Sequence, residues 1–276
     1  MRRVMAFFLA AMVACSSLAG CSQEAPKTVQ TSQASAAEES KTEAEAAETE
    51  TGSAGSIVFI ATQLGDMSFN DNGWTGVQEI GTKYGYDTRV VETGMDSSKY
   101  ENMFLDICDS DTDYIIAQSG NGWGDIVFKY AADFPEKKFI VFDASTEAEV
   151  PSDNVLCVAY KAYEGSYLTG LVCALMSESG MIAAGANRDN PAINDFFTGF
   201  ISGAKEANPD IKVSIAYNSV PGDAAVMGEI AASLYNSGVD VMFSVAGAAG
   251  LGIFQSAVDQ GKLAVGVDSD QWLTDS

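Results

Sequence analysis

From residue 56 onward, short runs of β-branched and aromatic residues alternate with longer stretches in which apolar residues return every three or four positions. The short runs fall at 57–61, 87–91, 113–117, 138–142 and 154–159, and the longer stretches at 70–84, 97–109 and 122–133. Continuous apolar runs of this length predict strands buried on both faces. The stretches between them are long enough for crossover helices, so the pattern predicts βαβ units on a parallel sheet. The cadence then restarts, with strands predicted near 181–185, 211–216, 239–245 and 263–267 and helices near 191–207, 223–236 and 250–260. A further helix is predicted from Tyr163 to Ser177, where Tyr167, Leu168, Leu171, Val172, Leu175 and Met176 follow the i, i+3, i+4 spacing of a buried stripe. The reading is therefore α/β, with two Rossmann-like lobes, 57–161 and 162–276, and a crossover near Lys161. Open parallel sheets bind ligands beyond the C-terminal ends of their strands, so two such edges facing each other would make a cleft. The second lobe offers only four strand candidates before Trp272-Leu273-Thr274-Asp275-Ser276, and it is expected to be incomplete.

The N-terminal residues follow a different pattern. Arg2-Arg3, the apolar run Val4–Val13 and the small residues after it make a secretory signal, too short to span a bilayer. It ends in Leu18-Ala19-Gly20-Cys21, which resembles a bacterial lipobox and implies that Cys21 is acylated and becomes the mature N-terminus. The protein would then sit on the extracytoplasmic face of the cell membrane, held by acyl chains. Residues 22–56 are rich in Glu, Ala, Thr and Ser and contain no aromatic residue. Such a composition buries too little surface to offset chain entropy, so this segment reads as a disordered acidic tether.

Charge and composition narrow the chemistry. A formal net charge of −23 disfavours nucleic acid and anionic membrane surfaces as partners. Histidine is absent, which removes Ser-His-Asp and Cys-His catalysis, His-ligated zinc and His-based pH switching. No catalytic site, metal or cofactor is expected. Of five cysteines, Cys15 leaves with the signal. Cys108, Cys157 and Cys173 lack a CxxC partner, and the last two lie in apolar surroundings, so they read as buried small hydrophobes.

The predicted strand tips carry amides, carboxylates and glycines with few cations. They are Gln63–Asn70, Ser119-Gly120-Asn121-Gly122, Asp143, Ala159–Lys161, Asn187–Asn190, Ser219–Asp223, Ala246-Gly247 and Asp268-Ser269-Asp270-Gln271. This inventory suits a small neutral ligand rich in hydroxyls and amines, since carboxylates accept from hydroxyls and amides serve both ways. A phosphate site would call for a Gly-rich turn with Lys or Arg. At Gly65–Trp74, Asp66 and Asn70 are suited both to capping the following helix and to ligand contact, and Phe69 both to a hydrophobic staple and to a stacking surface. Asp143 ends a buried strand and needs a donor, from a loop N–H or from a ligand. Gly247 is read either as a turn or as a place of close backbone approach.

Six segments, in order, resemble the basic membrane protein (BMP) family. They are Asp66-Met67-Ser68-Phe69-Asn70 with Trp74 and Gly76, Phe134-Pro135 with Phe139–Asp143, Glu164–Gly170, Phe197–Lys205, Ala246–Gly252 and Gly266–Gln271. Members are lipid-anchored substrate-binding proteins of ABC transporters and include purine-nucleoside receptors. The resemblance implies the type I periplasmic-binding-protein fold, a monomer, an ABC permease and ATPase as partners, and a nucleoside as ligand. It places Phe69 beneath a purine base, Asp143 on the N–H groups of the base and Asp268 on the ribose hydroxyls. Asp66, Asn70, Asn121 and Gly247 complete the expected ligand-binding set. One departure stands out: Asn218-Ser219-Val220-Pro221-Gly222-Asp223 has Pro221 where many members carry a second stacking aromatic. Phe196, Trp123 and Trp272 are candidates to replace it. Two other classes stay open, a nucleoside-sensing surface lipoprotein that signals to a partner and a lipid-anchored hydrolase.

Overall fold

The computed structural model of the protein describes residues 53–144 and 149–271. The signal, Cys21, nearly all of the tether and Trp272 lie outside these residues. The described residues belong to one compact unit, built on two all-parallel sheets.

The first sheet has the order β2-β1-β3-β4-β5, with β1 Ser56–Ala61, β2 Asp87–Glu92, β3 Tyr114–Gln118, β4 Lys138–Phe142 and β5 Val155–Val158. The second has the order β7-β6-β8-β9, with β6 Met181–Ala186, β7 Lys212–Tyr217, β8 Val241–Val245 and β9 Leu263–Val265. Helices α1 Phe69–Tyr84, α2 Tyr100–Cys108 and α3 Trp123–Tyr130 follow β1, β2 and β3. Helices α4 Ala162–Met176, α5 Pro191–Ala207, α6 Ala224–Asn236 and α7 Leu251–Gln260 follow β5, β6, β7 and β8. Each strand falls within two residues of its sequence-predicted bounds, because runs such as Val58-Phe59-Ile60 are buried on both faces and leave little freedom of register.

The cores are layered on either side of each sheet. In the first, Tyr100, Phe104, Trp123 and Phe139 pack one face, and Phe59, Val77 and Phe142 the other. In the second, Phe197, Phe200 and Phe243 pack one face, and Met227, Tyr235 and Ile253 the other. Cys108 and Cys173 are buried free thiols, and burial pushes each up to about 12, so neither is a thiolate at neutral pH.

Helix α4 departs from its predicted face. Ser166, Gly170, Cys173 and Ala174 are buried, whereas Leu168 is 63 % and Leu175 71 % exposed, with Val172 and Met176 exposed as well. The cause lies in α5, which meets α4 backbone to backbone. A Cβ at Gly170 would collide with the Phe200 carbonyl, one at Gly199 with the Tyr163 carbonyl, and one at Gly203 with the Tyr167 carbonyl. Three glycines set the approach, so the small-residue face is the one that docks. Periodicity reports which residues share a face, and here a neighbour's backbone chose the opposite one.

Candidate functional site

A cavity of about 990 Å³ opens between the loops at the C-terminal ends of the two sheets. Asp66, Phe69, Asn70, Asn121, Asp143, Gly247 and Asp268 all line it. Five separate loops, distant in sequence, are thus brought to one place by two open parallel sheets.

Much of the first loop is committed to its own helix. Asp66 is 1 % exposed, and its carboxylate accepts from the backbone N–H of Ser68 (3.0 Å), Asn70 (2.9 Å) and Asp71 (3.2 Å) and from Asn70 Nδ2 (2.7 Å). Asn70 Oδ1 accepts from the Thr62 N–H at 3.2 Å, tying the end of β1 to α1. Asp66 therefore satisfies the donors that a helix start leaves unpaired, and Asn70 braces the turn. Phe69 has a different surrounding: its ring stacks on Phe142 at 5.1 Å, which in turn stacks on Phe59 at 5.8 Å. Phe69 and Phe142 both line the cavity and form an aromatic wall on the first lobe.

The two remaining carboxylates face each other electrostatically. Burial, reinforced by the charges of Asp268 and Asp195, pushes Asp143 up to about 6. Asp268 is also raised, first by burial and further by Asp66, against a lowering hydrogen bond from Ser68. No hydrogen bond from another described residue reaches the Asp143 carboxylate. These are conditions under which donors from a ligand are strongly favoured, since each would stabilise an ionised oxygen in a drying site.

Backbone strain is concentrated here too. The non-glycine residues of positive φ among the described residues are Met67 (51°), Asn121 (60°), Asp143 (55°) and Asp268 (66°). Three line the cavity and Met67 directly follows the lining residue Asp66, a clustering typical of sites where side chains must be aimed. Gly247 (53°) shares this conformation and has open space around the position of a Cβ, so its backbone is what the cavity meets.

Several lining groups escaped the sequence reading. Gln118 Nε2, Ser166 Oγ and Arg188 Nε are buried polar atoms without a hydrogen-bond partner among the described residues, and all three residues line the cavity. Arg188 forms no ion pair among the described residues, and its Nη2 reaches only Met95 Sδ across the cleft at 3.9 Å. Its loop was visible as a strand tip, but nothing in the sequence singled out the guanidinium. Of the candidates for the second aromatic wall, Phe196 lines the cavity, whereas Trp123 is fully buried and stacked on Tyr100 in the first-lobe core. Among the described residues no group of three or more metal-ligating side chains is placed to hold a metal ion, and no helix is long and apolar enough to cross a membrane.

Comparison with known proteins agrees with this fold. The chain is 29% identical over 218 residues to the CD4+ T-cell-stimulating antigen of Listeria monocytogenes, covering 75% of this chain and 60% of that protein. It is 28% identical over 225 residues to the ABC transporter nucleoside-binding protein BmpA of Lactococcus lactis, covering 78% and 63%. The chain thus spans about three-fifths of the length of these relatives. A solute-binding protein of an ABC transporter system from Aeropyrum pernix superposes with a TM-score of 0.67 at 24% identity, over 76% of this chain and 61% of that one. The architecture is that of type I periplasmic binding proteins. Residues 55–276 match the family model described as "ABC transporter substrate-binding protein PnrA-like", and the chain belongs to this Bmp family.

Proposed function

We propose that this protein captures a nucleoside between its two lobes and delivers it to an ABC permease from the outer face of the cell membrane, where Cys21 anchors it. The observation that carries the ligand class is the pairing of an aromatic wall, Phe69 on Phe142, with two carboxylates of raised proton affinity, Asp143 and Asp268, in one cavity. A flat neutral base suits the first, and vicinal hydroxyls and ring N–H groups suit the second. The printed name of the Lactococcus relative supports the same class. In this reading Phe69 stacks on the base, Asp143 accepts from its N–H groups and Asp268 from the ribose hydroxyls. Asn121 and Gly247 contribute backbone and amide contacts, and Asp66 and Asn70 hold the first wall in place. Phe196 takes the part of the second aromatic, in place of Pro221.

Calorimetry on the full-length protein without its first 21 residues, titrated with a panel of purine and pyrimidine nucleosides and with free sugars as controls, tests the assignment. Saturable binding of at least one nucleoside is the expected result. Binding of a sugar or peptide with no response to any nucleoside would overturn it.

A further inference from the structure

Ser68 stands at the N-cap of α1, where a serine ordinarily turns its hydroxyl back to the helix's own N–H groups. Here it makes no such bond. Asp66 has taken over the capping, accepting from the N–H of Asn70 and Asp71, and the Ser68 hydroxyl is released. It donates instead to Asp268 Oδ2 at 2.5 Å, a residue two hundred positions away on the second lobe. Two further hydrogen bonds join the same pair of turns: Asn72 Nδ2 donates to the Asp268 carbonyl at 3.1 Å, and Ser269 Oγ donates to the Met67 carbonyl at 2.6 Å. Met67, which accepts from Ser269, and Asp268, which accepts from Ser68 and Asn72, both hold left-handed backbone. Neither conformation is favourable for a residue with a Cβ, and each is held by contacts from the opposite lobe.

We propose that Ser68 is the positioning residue of the ligand site: it fixes one oxygen of Asp268 across the cleft and leaves the other to the ligand. The reasoning rests on the nucleoside-cleft reading above. A carboxylate free to rotate beside Asp143 and Asp66 would turn away from their charge. A hydroxyl donor on Oδ2 holds its plane, and Oδ1 is then directed by the protein. Since the donor belongs to the first lobe and the acceptor to the second, the contact ties the two lobes together directly. It therefore acts on ligand release and closure together.

Two measurements test this on Ser68→Ala and Ser68→Thr, with the unaltered protein alongside. The first needs no ligand: NMR titration of the Asp268 side-chain carboxyl. Loss of the hydroxyl donor in Ser68→Ala moves that titration to higher pH, and Ser68→Thr, which keeps the hydroxyl, restores it. Burial and the neighbouring charge of Asp66 are common to all three proteins. An Asp268 titration that is the same in all three overturns the proposal, whatever the cleft binds. The second is stopped-flow binding of inosine and adenosine. Ser68→Ala releases nucleoside on the order of 10-fold faster with an unchanged association rate, and Ser68→Thr recovers most of the residence time. A shifted titration with an unchanged release rate also overturns it, since the contact would then position nothing. If neither nucleoside binds the unaltered protein, the cleft assignment fails while the titration still decides whether the clasp forms.

Discussion

Replacing Asp143 by Asn should make the protein more stable at neutral pH while removing a ligand contact. Asp143 directly follows β4, is half-buried, and has its carboxyl pushed up to about 6 from an ordinary value of 3.8, by burial first and then by Asp268 and Asp195. The folded state therefore holds this proton more tightly than the unfolded chain does. Between pH 3.8 and about 6 the folded form binds more protons, so its stability falls as pH rises through that window and is flat above it. The full penalty at pH 7 is roughly two pKa units, or about 3 kcal/mol, at about 1.4 kcal/mol per unit. An Asn is nearly isosteric, carries no charge and escapes that penalty. Urea denaturation of both proteins, followed by circular dichroism at steps from pH 3.5 to 7.5, reads the difference directly. The Asn variant should gain about 1–3 kcal/mol at pH 7.5, with the gap closing toward pH 3.5 where both side chains are neutral. A gap that does not depend on pH, or an Asn variant less stable at pH 7.5, would refute the electrostatic account of this residue.

The same carboxyl sets the pH dependence of binding. A base N–H donor favours the ionised form, so nucleoside affinity should fall as pH drops below about 6 and stay level above it, which calorimetry at pH 5 and 7 reads. Asp268→Ala should lower ribonucleoside affinity on the order of 100-fold while leaving a 2′,3′-dideoxynucleoside almost unaffected, a contrast that equilibrium titration measures. Phe69→Leu keeps the wall apolar but removes the π face, and about a tenfold loss in nucleoside affinity is expected from isothermal titration. Gly203→Ala places a methyl group against the Tyr167 carbonyl and should cost about 2–3 kcal/mol in urea denaturation, forcing α4 and α5 apart.

The alternation of apolar runs and amphipathic stretches was enough to place nine strands and the helices between them, because inner strands such as β1 and β8 are buried along nearly their whole length and the half-buried edge strands β2 and β7 keep β-branched residues. The strand tips followed from those positions, and with them the loops that line the cavity. What the one-dimensional pattern could not supply was which face of a helix docks and which loop meets which. The large apolar residues of α4 looked like a core stripe, yet the docking face was decided by Gly199 and Gly203 on α5, a neighbour whose separation is fixed only in three dimensions. Asp66 and Ser68 stand two apart in one turn and are both capable caps. Sequence alone does not tell which carries the helix and which is freed, because the choice depends on an acceptor at Asp268 brought across from the other lobe. The raised proton affinity of Asp143 has the same origin: burial and the charges of residues 52 and 125 positions away exist only once the sheets face each other. Local pattern fixed the elements, since hydrogen bonding and burial act within a few residues; long-range packing decided the chemistry, since charge and desolvation act through space.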